Sequence, residues 1–195
     1  MEVRHLLVAW LILGVCFSMN WVFYLSLESF LLSFPIALLT VGLGFIGHEI
    51  AHKFTAQRLG CVAEFRIWIF GLVTALLFAF ITRGSIIFAA PGAVYILPKT
   101  NPFGISRRDN GYISLAGPVT NVLFAMVFFL LIGSWGVLDI IGRIGFQVNL
   151  WLAAFNLLPF WVLDGEKVFQ WSRVVWVAIT APIWILVIAH YIGLV

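Results

Sequence analysis

The chain has 195 residues, of which 63% are hydrophobic and only 10% charged, with a mean hydropathy of +1.11. That balance excludes a water-soluble domain of this size and places the chain among polytopic membrane proteins, with the lipid bilayer as its surroundings and no nucleic acid as partner. The net charge of +3 carries little meaning until the charges are sorted by membrane side, and two distant cysteines, Cys16 and Cys61, form no disulfide framework.

In chain order, Glu2-Val3-Arg4-His5 precedes an apolar run over 6–27, too long for the apolar region of a signal peptide, which reads as a retained span. Further helices are expected at roughly 33–57, 110–133, 145–160 and 173–194. Gly42, Gly44 and Gly47 fall in the second of these, where small residues let helices approach closely. Between them, two shorter apolar runs meet at the turn signal Thr82-Arg83-Gly84-Ser85. Residues 67–81 suit a short helix, and 85–97, rich in β-formers around Pro91-Gly92, suit extended chain entering the membrane region. Non-helical backbone at that depth must be buried in protein or line a wet cavity. Asp109-Asn110 is a candidate N-cap for a helix starting near Gly111, Pro118 lies inside that helix, and Pro159 ends the next one. The expected architecture is therefore an all-α polytopic membrane protein of five to six transmembrane helices, with a short β or re-entrant segment at about 67–98. It is expected to be one membrane domain over 1–195, with a core at about 33–167 and peripheral helices 6–27 and 173–194.

The most informative feature is His48-Glu49-Ile50-Ala51-His52. No charge occurs between Glu28 and His48, and then three ionisable groups arrive within five residues. Each such group costs roughly 2.5–3.5 kcal/mol in a bilayer helix, which marks a functional site. Residues four apart on a helix share a face, so His48 and His52 can grip one ion, and Glu49 can serve as general base toward water. Catalytic zinc takes three protein ligands, so a third must come from elsewhere.

The remaining histidines, His5 and His190, lie near the termini, which leaves the carboxylates Glu64, Asp109, Asp139, Asp164 and Glu166. Asp164 stands out, at the end of an apolar segment after Pro159 and before Gly165, where non-helical backbone would deliver an oxygen ligand. Chain parity supports it. If helix 33–57 ends on one membrane face, segment 145–163 ends there too, provided that 58–109 begins and ends on that face. Nine cationic residues (Arg4, Lys53, Arg58, Arg66, Lys99, Arg107, Arg108, Lys167 and Arg173) then share that face, against Arg143 and at most Arg83 opposite. Cytoplasmic loops carry the excess of Lys and Arg, so the site is expected toward the cytosol, in a multi-pass protein of the cell membrane. With the helix emerging near Arg58, His48 lies ten residues inside, roughly 15 Å.

Together these residues resemble the site-2 protease family of intramembrane zinc metalloproteases. Three motifs match in order: the zinc signature at 48–52, Gly117-Pro118-Val119-Thr120-Asn121, and Asn156-Leu157-Leu158-Pro159 leading to Leu163-Asp164-Gly165. The likeness spans about 48–167 and implies one Zn2+ held by His48, His52 and Asp164, with Glu49 as catalytic acid/base and Asn156 on the substrate or oxyanion. It departs from the family pattern at Val162, often Pro, and at Glu166, usually Gly. Without an inserted PDZ-like or nucleotide-sensing domain, it resembles a minimal member. The implied activity is endoproteolysis of transmembrane protein or peptide substrates; separately, the extended run 85–97 is expected to pair with unwound substrate by β-augmentation. The alternatives are a non-catalytic membrane scaffold keeping a structural metal site, and a metal transporter, which would need polar ligands across the whole bilayer. Neither substrate identity nor oligomeric state is written in the sequence.

Overall fold

A computed structural model describes residues 1–24, 27–84, 91–99, 104–160 and 162–193, without the side chains of 20–24, 27 and 32. Its elements run α1 (Glu2–Tyr24), α2 (Leu27–Arg58), β1 (Cys61–Ile67), α3 (Ile69–Ile81), β2 (Gly92–Pro98), α4 (Arg107–Phe129), α5 (Val137–Asn156), α6 (Asp164–Trp171) and α7 (Arg173–Tyr191). Five of the helices, α1, α2, α4, α5 and α7, are long and apolar enough to cross a membrane. The expected polytopic helical architecture is thus present, with a small two-stranded sheet.

Helix α2 is the centre of the bundle, and its glycines set its neighbours. A Cβ at Gly42 would strike Trp10 of α1, one at Gly44 would strike Asn149 of α5, and one at Gly47 would strike Phe124 of α4. Helix α1 runs antiparallel to α2: Trp10 Nε1 donates to the Leu38 carbonyl at 2.7 Å, and Glu2 meets Lys53 at 2.5 Å. Apolar packing divides between an α4–α5–α7 cluster around Phe128, Leu150 and Leu157, and an α1–α2–sheet cluster around Leu13, Val41 and Phe65.

The strands pair antiparallel from Cys61↔Pro98 to Ile67↔Gly92, so the excursion between them starts and finishes at one place. Helix α3, with 13 residues, spans about 20 Å, short of the ~30 Å hydrocarbon core. The return of the chain that parity requires is therefore built as strand, short helix and strand, and the turn at Arg83 and Gly84 takes positive φ.

Several expectations need correction. Strand β1 was not anticipated, although Cys61, Ala63 and Phe65 alternate into the core with period two. The extended run occupies 92–98, while 85–90 lie outside the described residues. Helix α4 starts at Arg107, capped by Ser106, whose Oγ accepts from the Asp109 N–H at 3.0 Å; Asp109-Asn110 is inside the helix. Helix α5 begins eight residues before the expected 145, because Asp139 and Arg143 pair at 2.8 Å on its first turns. Asp164 is the first residue of α6 and so sits on a helix rather than on irregular chain.

Candidate metal centre

His48 and His52 lie one turn apart on α2, with their Nε2 atoms 2.9 Å apart. Asp164 Oδ2 lies 3.2 Å from the first and 3.1 Å from the second. All three side chains are buried, and they form a group that could hold one metal ion. Asp164 reaches them because α5 stops at Asn156 and the chain turns back before α6. Gly165 makes that return possible, since any side chain there would collide with the Leu157 and Leu158 carbonyls. Trp176 Nε1 fastens the same corner by donating to the Leu157 carbonyl at 2.8 Å. Lys167 Nζ stands 3.5 Å from Oδ1, the oxygen turned away from the histidines.

The outer partners of the imidazoles decide what their inner nitrogens can do. His52 Nδ1 is 2.7 Å from the Ile113 carbonyl, which can only accept, so that nitrogen carries the proton. His48 Nδ1 is 2.6 Å from Asn121 Oδ1, and Asn121 Nδ2 donates to the Gly44 carbonyl at 3.0 Å, so His48 donates outward as well. Both neutral rings then present bare Nε2 lone pairs to a carboxylate oxygen. Three acceptors at this spacing repel one another unless a cation lies among them. The donor set suits zinc, whose bonds of roughly 2.0–2.1 Å to N and O give tetrahedral edges of about 3.3 Å. The cradle itself depends on Gly117 of α4, where a Cβ would sit 2.5 Å from His52 Nε2 and 2.6 Å from His48 Nε2.

Glu49 is buried beside this group, and its Oε2 has no hydrogen-bond partner among the described residues. It faces a cavity of about 290 Å³ that also takes in His48, His52, Asp164, Asn156 and Lys167. Asn156 is half-buried and ties its own Nδ2 to the Leu152 carbonyl at 2.9 Å. Strand β2 forms another wall, through Gly92, Val94 and Ile96. Its ladder bonds continue past both ends, from Trp68 N–H to the Pro91 carbonyl and from Lys99 N–H to the Gly60 carbonyl. Alternation along an antiparallel pair then turns the main-chain groups of Gly92, Val94 and Ile96 away from β1. The same parity holds across the sheet, where the outward N–H of Phe65 is taken by Glu2 at 3.0 Å.

The other candidate carboxylates are engaged elsewhere: Glu64 with Arg66, Asp109 with Ser106, Asp139 with Arg143, and Glu166 with Gln170. Val162 and Glu166 are not among the three clustered groups, so the departures from the motif leave the donor set intact. His190 packs on Phe146 in the α5–α7 region, apart from the cluster. From the sequence, Gly117 and Asn121 enter only as part of the motif at 117–121, and Asn149 does not enter at all. The available signal was the same as for the histidines, a costly polar group inside an uncharged run.

The fold and site define a multi-pass membrane protein with a buried His-His-Asp metal cradle beside a glutamate. No family model matches the chain, and no solved structure matches it significantly. A Methanocaldococcus jannaschii protein named "Putative zinc metalloprotease MJ0611" is 42% identical over 158 residues, covering 78% of each chain. The Bacillus subtilis protein "Putative zinc metalloprotease YwhC" is 30% identical over 160 residues, covering 70% of this chain and 68% of its own. The chain belongs to the zinc metalloprotease family that these two proteins represent, and zinc is the cofactor that its donor set fits.

Proposed function

We propose that this protein is an intramembrane zinc endopeptidase of the site-2 type, which hydrolyses peptide bonds in or near transmembrane segments of membrane proteins. The observation that carries the reading is Glu49: a buried carboxylate oxygen without a partner, at a cavity wall shared with the His-His-Asp group, within apolar helices. His48, His52 and Asp164 hold the metal. Zinc, when bound, supplies Lewis acidity that polarises a carbonyl and lowers the pKa of water. Glu49 takes the proton of the attacking water and returns it to the leaving amine.

A helical substrate hides its carbonyls in its own hydrogen bonds and must be unwound before cleavage. The outward edge of β2 offers the opened strand main-chain partners along the cavity, by β-augmentation. Asn156, on the same cavity, assists in binding the substrate. The nine Lys and Arg residues that the sequence assigns to the face of the site support an orientation toward the cytosol of a cell membrane.

The test uses detergent-purified protein and a helical transmembrane peptide. Glu49→Ala is expected to keep stoichiometric zinc and lose cleavage. Full cleavage by that variant would end the reading, and zinc without turnover in the wild type would favour the scaffold instead.

A further inference from the structure

The proton position on His48 depends on a chain of amides that crosses three helices. Asn149 Nδ2, on α5, donates to the Gly145 carbonyl at 2.9 Å. A backbone carbonyl only accepts, so this bond fixes which end of the Asn149 amide points which way. Its Oδ1 is thereby turned toward Asn121 of α4 and accepts from Asn121 Nδ2 at 3.2 Å. The second hydrogen of that Nδ2 goes to the Gly44 carbonyl of α2, at 3.0 Å. Asn121 Oδ1 is then the atom left for His48, at 2.6 Å. Asn121 and Asn149 are both fully buried, at 0% exposure, so bulk solvent does not reach either amide. Gly44 makes the approach possible, because a Cβ there would lie 2.6 Å from Asn149 Oδ1.

Resting on the reading of His48 as a metal ligand, we propose that Asn149 is a positioning residue, which acts through Asn121 to keep the His48 proton on Nδ1 and its Nε2 free for zinc. The chain has a direction, set at two carbonyls that cannot reverse. Reversing either amide would set carbonyl oxygen against carbonyl oxygen at Gly44 or Gly145. Metal-bound histidines commonly rely on such an outer acceptor, and losing one weakens metal binding by about 10–100-fold. Here the acceptor is itself oriented by a second amide on a third helix. The bundle's packing therefore enters the metal affinity directly.

The test is a double-mutant cycle on zinc affinity, measured by chelator competition on the detergent-purified full chain. Asn121→Leu is expected to weaken zinc binding on the order of 100-fold, and Asn149→Leu about tenfold. In the Asn121→Leu background, Asn149→Leu should add nothing, because its only route to His48 is gone. A merely structural role for Asn149 would lower affinity in both backgrounds, and that result would overturn the proposal. Asn149→Ser, which can still donate to the Gly145 carbonyl but is too short for Asn121, should behave like Asn149→Leu; wild-type affinity would overturn the proposal too. Nitrogen-15 shifts of labelled histidine in zinc-free protein supply a second readout, with His48 protonated at Nδ1 in the wild type and mixed in Asn149→Leu. His48→Ala separates the two readings. If it keeps zinc, the ligand assignment fails; if it loses zinc while Asn149→Leu keeps full affinity, only the relay fails.

Discussion

The α2–α4–α5 centre and the β1–α3–β2 excursion handle polar groups in opposite ways. In the centre, the amides of Asn121 and Asn149 and both imidazoles are partnered across helices, and each partner leaves only one arrangement. In the excursion, the sheet closes one edge and leaves the other toward the cavity. Glu2 covers β1 by taking the Phe65 N–H, while Gly92, Val94 and Ile96, whose main-chain groups turn away from β1, line the same cavity as Glu49. The difference teaches a division of labour. On the proposed function, rigidity lies where donor atoms would be held, and the β2 main-chain groups that β1 does not pair lie where an extended substrate would be received. Glu49 belongs to the rigid helix but opens onto the receiving side.

The comparison breaks first at Glu49. In Glu49→Ala, cleavage should fall by roughly 10²–10⁴-fold while zinc content is unchanged, because the proposed general base would be lost and the cradle would not. Metal analysis beside a peptide-cleavage assay checks both halves. Gly117→Ala tests the rigid side alone. Its Cβ would enter the space between the two Nε2 atoms, so zinc affinity should drop by more than about 100-fold while the apolar core stays folded. Chelator competition and a thermal melt would show whether those two quantities separate.

The receiving side is sharpened by a pair of prolines. At Val94 the lost N–H points away from β1, so Val94→Pro removes a docking donor and spares the ladder. At Tyr95, on the paired parity opposite Glu64, Tyr95→Pro breaks the sheet itself. Val94→Pro should raise KM about fivefold with zinc affinity unchanged, the size expected for one hydrogen bond of about 1 kcal/mol. Tyr95→Pro should lower stability as well. Equal behaviour of the two would remove the distinction between the edges.

The smallest effect belongs to Glu2. Lys53 is about a third exposed and Glu2 less so, and such pairs contribute roughly 0.2–1 kcal/mol. Glu2→Gln keeps an acceptor for Phe65 and should change the melting temperature by only a few degrees. Glu2→Ala uncovers the β1 edge and should cost more.

The sequence makes the five long helices legible because each is an uncharged run of bilayer length, and it makes the His-Glu-His face legible because those groups are expensive there. Asp164 was reached by parity, and the strand pairing from Cys61 to Pro98 is the physical form of that parity. Less was legible where polar residues serve structure. Val62, an exposed apolar residue, blurred the alternating pattern of β1, and Asp139 and Arg143 hid the first turns of α5 by pairing with each other. The eight residues of α6 were too few to show a helical period, so Asp164 was assigned to irregular chain. The Asn149–Asn121 chain was invisible because its meaning lies in which helices meet, and no spacing along one segment records that.

The central claim is that three side chains from two distant parts of the chain hold one zinc. The most direct test is the zinc stoichiometry of purified wild type beside Asp164→Ala. One zinc per chain in the wild type, with little or none left in Asp164→Ala after dialysis against a weak chelator, is the predicted result. Equal zinc in the two proteins would contradict the account.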